Sequence, residues 1–315
     1  MITGLSASDL RFLSALNQIS DRLTQAETEV TSGRRINTVS DHPDQISAVL
    51  TVRANLDQTT QIQINLARAL TEVQTADQTI TDSIISLDQV TKLAAQGVTE
   101  TMTADQRNSI GHQIGDILDQ IVSATNTQVE GRYIFSGDTD QVAPYTVEAP
   151  VAPATLNTVS FYAGADSTRK TMHPDGTQFS IALTAQQVFD APDASVLTAL
   201  TDLRNAFINS QNDPPNSTDY TTQTSQIRDA MTELSAAKSH MNQSLAFYGA
   251  VENRITEATT YASKLQLNQK TQLSSLQDAD ITQSILDLNQ AITQQQAALS
   301  ARAKIPTKSL FDYLG

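Results

Sequence analysis

Apolar residues near the start of the chain fall at alternating steps of four and three: Phe12, Leu16, Ile19, Leu23, Ala26, Val30 and Gly33. Steps of that size put side chains on one face of a helix, so the segment reads as a helix with a coiled-coil seam. The far end repeats the rhythm in Ile281, Ile285, Leu288, Ile292, Gln295 and Leu299, with Gln, Ser and Asp between them. A lone helix leaves such a stripe in water, and the simplest cover for each end is the other. The chain is expected to return to where it began.

Between the ends the pattern changes several times. Thr31-Ser-Gly-Arg-Arg-Ile-Asn37 loses the heptad, and Ser40-Asp-His-Pro-Asp44 reads as a new helix start, with Asp41 as its cap and Pro43 early in it. Leu66, Leu70, Val73, Asp77, Ile80, Ile84, Leu87, Thr91, Ala94 and Val98 then form a long seam. Helical from Val49 to Val98, this stretch would be a rod of roughly 75 Å. Met102-Thr-Ala-Asp105 marks a turn and cap, after which Ile110, Ile114, Ile117, Ile121 and Ala124 predict a helix running back along the rod. Gly111 and Gly115 share one face of it, either for close approach of a neighbouring backbone or as tolerated glycines.

The helical pattern ends in Gly131-Arg-Tyr133-Ile-Phe-Ser-Gly137. The next segment is rich in Thr, Val and aromatic residues, and seven of the nine prolines lie between Pro144 and Pro215, which predicts short strands and turns, including a turn at Pro174-Asp-Gly-Thr177. Val196, Leu200, Leu203 and Phe207 suggest one short helix before Asp213-Pro-Pro-Asn216 breaks the chain. Past Tyr220 the pattern is helical again, with a seam of Val251, Ile255, Ala258, Ala262 and Leu265 that slips in phase near Leu273 and Leu276.

The expected fold is therefore mainly α, with long terminal helices and a smaller β-rich insert. Residues 1–40 with 275–315 form a terminal coiled coil, 41–131 with 221–274 a helical rod, and 132–220 the insert. One stripe per helix is little burial against the entropy of ordering two long helices. The terminal pair is expected to order fully when copies pack side by side.

Composition narrows the function. A net charge of −14, with no basic patch to offset it, disfavours nucleic acid and anionic membrane surfaces as partners. The longest apolar run, Ile46 to Val52, is interrupted by Ser47 and Thr51 and is too short to span a bilayer. Asp9 and Arg11 interrupt any leader-like core near the start, so export would need a route other than a cleaved signal. The absence of cysteine excludes disulfides, thiol catalysis and thiolate metal sites.

Candidate chemistry is sparse. His42, His112, His173 and His240 are scattered without metal-ligand spacing, and Glu27 and Glu29 lie off the apolar seam of their helix, where solvation is the simplest account. No phosphate-binding loop or nucleophile elbow is present. The reading is a structural protein with neither catalytic residues nor cofactor.

The motifs carry a resemblance. Thr31-Ser-Gly-Arg-Arg-Ile-Asn37 followed by Ser40-Asp-His-Pro-Asp44 resembles the Ser-Gly-x-Arg-Ile-Asn element and acidic helix start of the flagellin superfamily. Asn126-Thr-Gln-Val-Glu-Gly-Arg-Tyr-Ile-Phe-Ser-Gly137 and the terminal Ser309-Leu-Phe-Asp-Tyr-Leu314 resemble the branch that joins hook to filament, where filament flagellins generally carry other elements. His42, where an acidic residue is common, and Val159-Ser-Phe-Tyr-Ala-Gly-Ala165 depart from the pattern.

The resemblance implies an extracellular flagellar subunit, exported by the flagellar type III apparatus and assembled as a ring of like subunits. Its implied partners are itself, a hook-side junction protein, flagellin and a cytoplasmic export chaperone. The expected assembly residues are Phe12, Leu16, Ile19, Leu23 and Val30 packing on Ile281, Ile285, Leu288, Ile292 and Leu299, with Phe311 and Tyr313 meeting a neighbour. Gly131, Tyr133 and Gly137 would mark the domain boundary. A filament-forming flagellin shares the terminal seams and is the nearest alternative; a cytosolic helical scaffold is a more distant one.

Overall fold

A computed structural model describes residues 7–38, 41–99, 102–150, 156–209 and 218–304. Asp213–Asn216, Phe311, Tyr313 and the surrounding Ser309–Leu314 lie outside the described residues. The chain divides into two compact units, one of residues 1–59 with 264–315 and the other of residues 60–263. In the second unit the insert shares its core with the helices that precede and follow it.

Seven helices account for most of the described chain: α1 (Ala7–Ser32), α2 (Ile46–Gly97), α3 (Ala104–Thr125), α4 (Ala185–Phe189), α5 (Val196–Asn209), α6 (Thr218–Gln277) and α7 (Ile281–Ala303). Both α2, at 52 residues, and α6, at 60, are unbroken. Neither has an interior proline or a glycine that needs positive φ. The helix expected to start at Asp41 starts five residues later. Asp41 instead accepts bonds from the Asn37 and Thr38 amides at 2.8 and 2.7 Å and from the Thr38 hydroxyl at 2.6 Å, so it closes the preceding loop. The α3 start conforms: Thr103 and Gln106 make a reciprocal capping box.

In the second unit α2 and α6 run antiparallel. Gln63 Nε2 donates to Ser263 Oγ (3.1 Å), and eleven residues further along α2 Gln74 donates to Glu252, eleven back on α6 (2.8 Å). Fourteen more in each direction, Asp88 pairs with Lys238. The buried positions keep a heptad rhythm on both helices: Ile62, Leu66, Ala69, Val73, Ala76, Ile80, Ser83, Leu87, Val90 and Ala94 on α2, and Ile227, Ala230, Leu234, Ala237, Met241, Ser244, Tyr248, Val251, Ile255, Ala258 and Ala262 on α6.

This corrects the expected α2 seam. Its members Leu66, Val73, Ile80, Leu87 and Ala94 are buried, but every second position shifts back by one residue. Ala69, Ala76, Ser83 and Val90 occupy the centre in place of Leu70, Asp77, Ile84 and Thr91. Small side chains there let helices approach, and Leu70 and Ile84 pack against the core from its flank.

The insert contains less sheet than expected. Its strands form two-stranded antiparallel pairs: β1 (Gln128–Val129) with β2 (Arg132–Tyr133), β3 (Val147–Glu148) with β4 (Thr158–Val159), β5 (Lys170–Met172) with β6 (Gln178–Ser180), and β7 (Asp190–Ala191) with β8 (Ala194–Ser195). Each is too small for a core of its own. Phe135, Phe179 and Phe189 are buried in the same cluster as the α2, α3 and α6 stripes, and α5 places Val196, Leu200, Leu203 and Phe207 there without exposure. Gly111 and Gly115 serve close approach, and the neighbour is α5. A Cβ on Gly111 would lie 2.6 Å from Ile208 Cγ1 and 3.3 Å from the Arg204 carbonyl oxygen.

The boundary motif is a fastening. Glu130 (φ 53°) and Gly131 (φ 75°) both take left-handed backbone, as a two-residue hairpin loop between β1 and β2 requires. Asn126 donates to the Tyr145 carbonyl at 2.7 Å, the Tyr133 amide donates to the Asp140 carbonyl at 2.8 Å, and Ile134 and Phe135 are buried. Arg169 forms a 2.5 Å ion pair with Glu72 of α2 and donates to the Ile134 carbonyl at 3.0 Å. Burial raises the Glu72 carboxyl above the usual range, with the Arg169 guanidinium opposing.

Gly137 and Gly176 both have positive φ, 63° and 92°, but a Cβ on Gly137 would sit 2.2 Å from the Ala165 carbonyl oxygen, whereas nothing lies within 4 Å of one on Gly176. Gly176→Ala should cost about 1–2 kcal/mol from backbone strain alone, and Gly137→Ala roughly 2–4 kcal/mol from strain plus overlap. Urea unfolding of the two variants checks the order, and equal losses would count against the close approach at Gly137.

Candidate assembly site

The first unit joins the two ends of the chain. α1 and α7 pack antiparallel: Ser284 Oγ donates to Glu29 Oε2 (2.9 Å), and at the other end Arg302 pairs with Asp9 and lies 5.6 Å from the centre of the Phe12 ring. On α1 the shielded residues lie along one stripe. Ala26 is buried, and Phe12, Leu16, Ile19, Leu23 and Val30 are half-buried.

On α7, Ser284 and Ala291 are buried, and Leu288, Gln295 and Ala298 half-buried. Ile281, Ile285, Ile292 and Leu299 remain 40, 42, 37 and 51 % exposed. Of the five α7 residues expected to pack on α1, Leu288 is the most covered, and the other four lie at the margin of the contact with much of their surface exposed. The physical reason is that of α2: small residues make the close helix contact, and the large ones beside them are left outside. On α7 no flanking element among the described residues covers them. Leu286 (58 %), Leu10 (56 %) and Leu13 (41 %) extend the exposed apolar surface of this pair.

The Ser-Gly-Arg-Arg-Ile-Asn motif proves to be a clamp on the end of α6. Gly33, at φ 69°, ends α1 and turns the chain. The Arg35 amide then donates to the Gln277 carbonyl at 2.7 Å, and the Arg35 guanidinium donates to the Leu276 carbonyl at 3.2 Å and to Gln45 Oε1 at 2.8 Å. Gln277 is itself buried. Its Nε2 donates to the Ile36 carbonyl (3.2 Å), and its Oε1 accepts from Arg53 of α2 (2.9 Å).

Ile36 is buried beside it, and the Ala279 amide donates to the Gly33 carbonyl at 3.0 Å. Asp280 then caps α7 through the Thr282 and Gln283 amides. The phase slip near Leu273 and Leu276 thus precedes the end of α6 at Gln277. Arg53 and Gln277 carry no sequence signal, because a lone polar residue at a seam position reads as a flaw in the stripe.

Among the described residues no group of three His, Asp or Glu side chains could hold a metal ion, and no helix is long and apolar enough to cross a membrane. What the unit offers is an end-to-end helical pair, locked by a buried polar clamp and bearing an uncovered apolar stripe.

Those features define a helical structural subunit closed through its own ends. Residues 6–140 match the bacterial flagellin N-terminal helical region and residues 224–314 the bacterial flagellin C-terminal helical region, and the chain belongs to the flagellin superfamily. It is thus a flagellar structural component, which sets aside a cytosolic scaffold.

Curated relatives include the flagellar filament 33 kDa core protein of Treponema phagedenis, 22 % identical over 289 residues and covering 91 % of this chain and 90 % of its own. Among solved structures, the flagellar hook associated protein-3 of Legionella pneumophila superposes with a TM-score of 0.62 at 12 % identity over 72 % of this chain and 98 % of its own. FlgL of Xanthomonas campestris superposes at 0.57 and 17 % identity over 70 % and 98 %. At such identities the structures establish the fold.

The clamp carries two expectations. Gln277→Ala leaves the Ile36 carbonyl and the Arg53 guanidinium without their buried partner and should cost about 2–3 kcal/mol. It should also speed hydrogen exchange in residues 33–38 and 276–284, and unchanged exchange there would contradict the clamp. Asp41 is held below its ordinary carboxyl pKa by the Thr38 hydroxyl, then by the Thr38 and Asn37 amides. A lowered folded pKa means that the loop is stabilised above the unfolded value and loses that support as pH falls through the folded one. Amide exchange at Asn37 and Thr38, corrected for intrinsic rate, should therefore lose protection on acidification below about pH 4. Asp41→Asn should remove that pH dependence.

Proposed function

We infer that this chain is the flagellar subunit that joins hook to filament, built into a ring through its terminal helices. The observation that carries the assembly reading is the double character of α7, whose small residues meet α1 while Ile281, Ile285, Ile292 and Leu299 stay exposed. An apolar stripe of that length is costly in a free monomer and is covered when copies pack side by side. Phe12, Leu16, Ile19, Leu23 and Val30, only half-covered by α7, gain from the same packing, and Phe311 and Tyr313 are assigned to the same contact. The junction role is supported by the likeness to hook-associated structures and by the fastening role of Asn126 to Gly137.

A filament-forming flagellin is the second reading, favoured by curated relatives that are themselves filament proteins. The same packing would then build a tube in place of a ring. Export through the flagellar type III apparatus, with a cytoplasmic chaperone shielding the α7 stripe beforehand, accords with a cysteine-free chain and belongs to either reading. The remaining proposed contacts are with the hook-side junction protein and with flagellin.

Electron microscopy of cells lacking the gene, with a blot of the medium for flagellin, separates the readings. Bare hooks with flagellin in the medium are expected, because export continues while nothing retains the filament. Bare hooks with none in the medium would make this chain the filament subunit. Ile285→Asp should leave stability within about 1 kcal/mol, since that side chain is 42 % exposed, yet abolish attachment of filaments. Ala291→Asp, at a position only 4 % exposed, should loosen the α1–α7 pair itself. Normal filaments on Ile285→Asp cells would refute the assembly role of the exposed stripe.

A further inference from the structure

Four of the twenty Lys and Arg residues of this acidic chain, Arg68, Arg132, Arg169 and Lys170, line one cleft of the second unit. The cleft has a volume of about 790 Å³ and lies between α2, the stretch after β2 and the β5–β6 hairpin. Its walls are held by contacts of their own. β5 and β6 pair from Lys170–Ser180 to Met172–Gln178, and Thr168 Oγ1 lies 2.9 Å from Ser180 Oγ. The Asp138 amide donates to the Ser167 carbonyl at 3.0 Å, and Arg254 of α6 lies over the Phe179 ring, 4.3 Å from its centre. A cleft fixed in this way is formed before anything enters it.

The charges in it do not cancel. Glu72 is taken by Arg169 at 2.5 Å, Asp140 lies 3.8 Å from Arg132 and 3.9 Å from Arg169, and Asp138 accepts from the Ser167 hydroxyl. Arg68, one helical turn before Glu72 on α2, and Lys170 are left over: neither side chain has an ion pair or hydrogen bond among the described residues. Arg169 also has donors to spare. Its Nη2 serves Glu72 and the Ile134 carbonyl, whereas Nε and Nη1 are buried without a hydrogen-bond acceptor. A buried donor with no acceptor is costly, and where a native structure keeps one it calls for a partner from outside the chain.

Two unpaired cations beside two spare guanidinium donors call for an anion, and the rest of the lining says what else that anion carries. Asn65, Thr168 and Gln178 supply both donors and acceptors, while Met172 and Ile181 add an apolar stretch. A sugar ring matches both, with hydroxyls at its edge and C–H groups on its face. A bare inorganic ion would use neither and would leave most of the volume unfilled. We propose that the cleft binds an acidic saccharide, its carboxylate or phosphate held by Arg68 and Lys170 with Arg169 behind them, and its hydroxyls by Asn65, Thr168 and Gln178. Uronates and sugar phosphates share that chemistry. The site belongs to the second unit and does not depend on how the terminal helices assemble.

Isothermal titration calorimetry of the full-length protein tests this with galacturonate, glucose 6-phosphate, galactose, glucose and inorganic phosphate as probes. Galacturonate or glucose 6-phosphate should bind about tenfold tighter than its neutral counterpart, and the tighter of the two identifies the source of the charge. Both Arg68 and Lys170 are exposed, so Arg68→Ala and Lys170→Ala should keep the urea midpoint of the parent. Each should nonetheless weaken binding of the acidic sugar about fivefold, with Arg68→Lys recovering most of the loss and added salt weakening the parent. Inorganic phosphate binding as tightly as glucose 6-phosphate would mean an adventitious ion only. That result, equal affinity for neutral and acidic sugars, no heat with any probe, or an affinity unmoved by both alanine variants would each overturn the proposal.

Discussion

A helix with one apolar stripe is only as stable as whatever covers that stripe, and in this chain the cover comes from residues hundreds of positions away. In the first unit the contact is fixed by Gln277. Its carboxamide and carbonyl satisfy Ile36, Arg35 and Arg53 from segments near the other end of the sequence. A buried amide offers no gain from a shifted register, because any slip leaves donors and acceptors unpaired away from water. Heptad stripes alone tolerate a slide of one repeat. The clamp sets which repeat of α1 faces which repeat of α7, and Asp280 then starts α7 immediately beyond it.

The second unit solves the same problem without a buried amide clamp. The antiparallel register of α2 and α6 is held by side-chain pairs eleven and fourteen residues apart on each helix, about three and four turns, and small residues at alternate seam positions bring helices close. The insert fills the remaining side. Since its paired strands are two or three residues long, they cannot stand as a sheet, and their aromatic side chains complete a core that helices have begun. The sharp turns at Gly131 and Gly137 reflect this dependence. The chain must leave the end of α3 and return immediately to place Ile134 and Phe135 beneath it.

Much of this is legible in the sequence, and the differences have one cause. The α1 seam, the α5 helix, the Thr103 cap and the turn at Gly176 can be read because each is local: periodicity, capping chemistry and a Pro-Asp-Gly turn act within a few residues. In α2 and α7 apolarity draws the seam through the larger of two neighbouring residues, Leu70 over Ala69 and Ile285 over Ser284. A close helix contact selects the smaller. The recurrence of Ala69, Ala76 and Ser83 at seven-residue steps is the signal that marks the true seam. Asp41 reads as the cap of a helix that in fact starts later, because the same side-chain chemistry closes a loop. Gln277 leaves no local trace, since its partners lie some 240 residues away.

The arrangement at α7 separates two demands that usually compete. A seam of Ser284, Leu288 and Ala291 contributes little burial, so the pairing of α1 with α7 draws its specificity from the clamp more than from hydrophobic gain. The large residues are thereby left free, and on the assembly reading they are used between subunits. Had Ile281, Ile285, Ile292 and Leu299 faced α1, the monomer would be more stable and would offer a neighbour only Ala and Ser. The net charge of −14 works in the same direction before assembly, because like-charged copies repel at distances where short-range apolar contact has no effect. Contact then wins only where many stripes are brought together in one geometry, which is the condition for a subunit to remain single until it reaches the end of a growing structure.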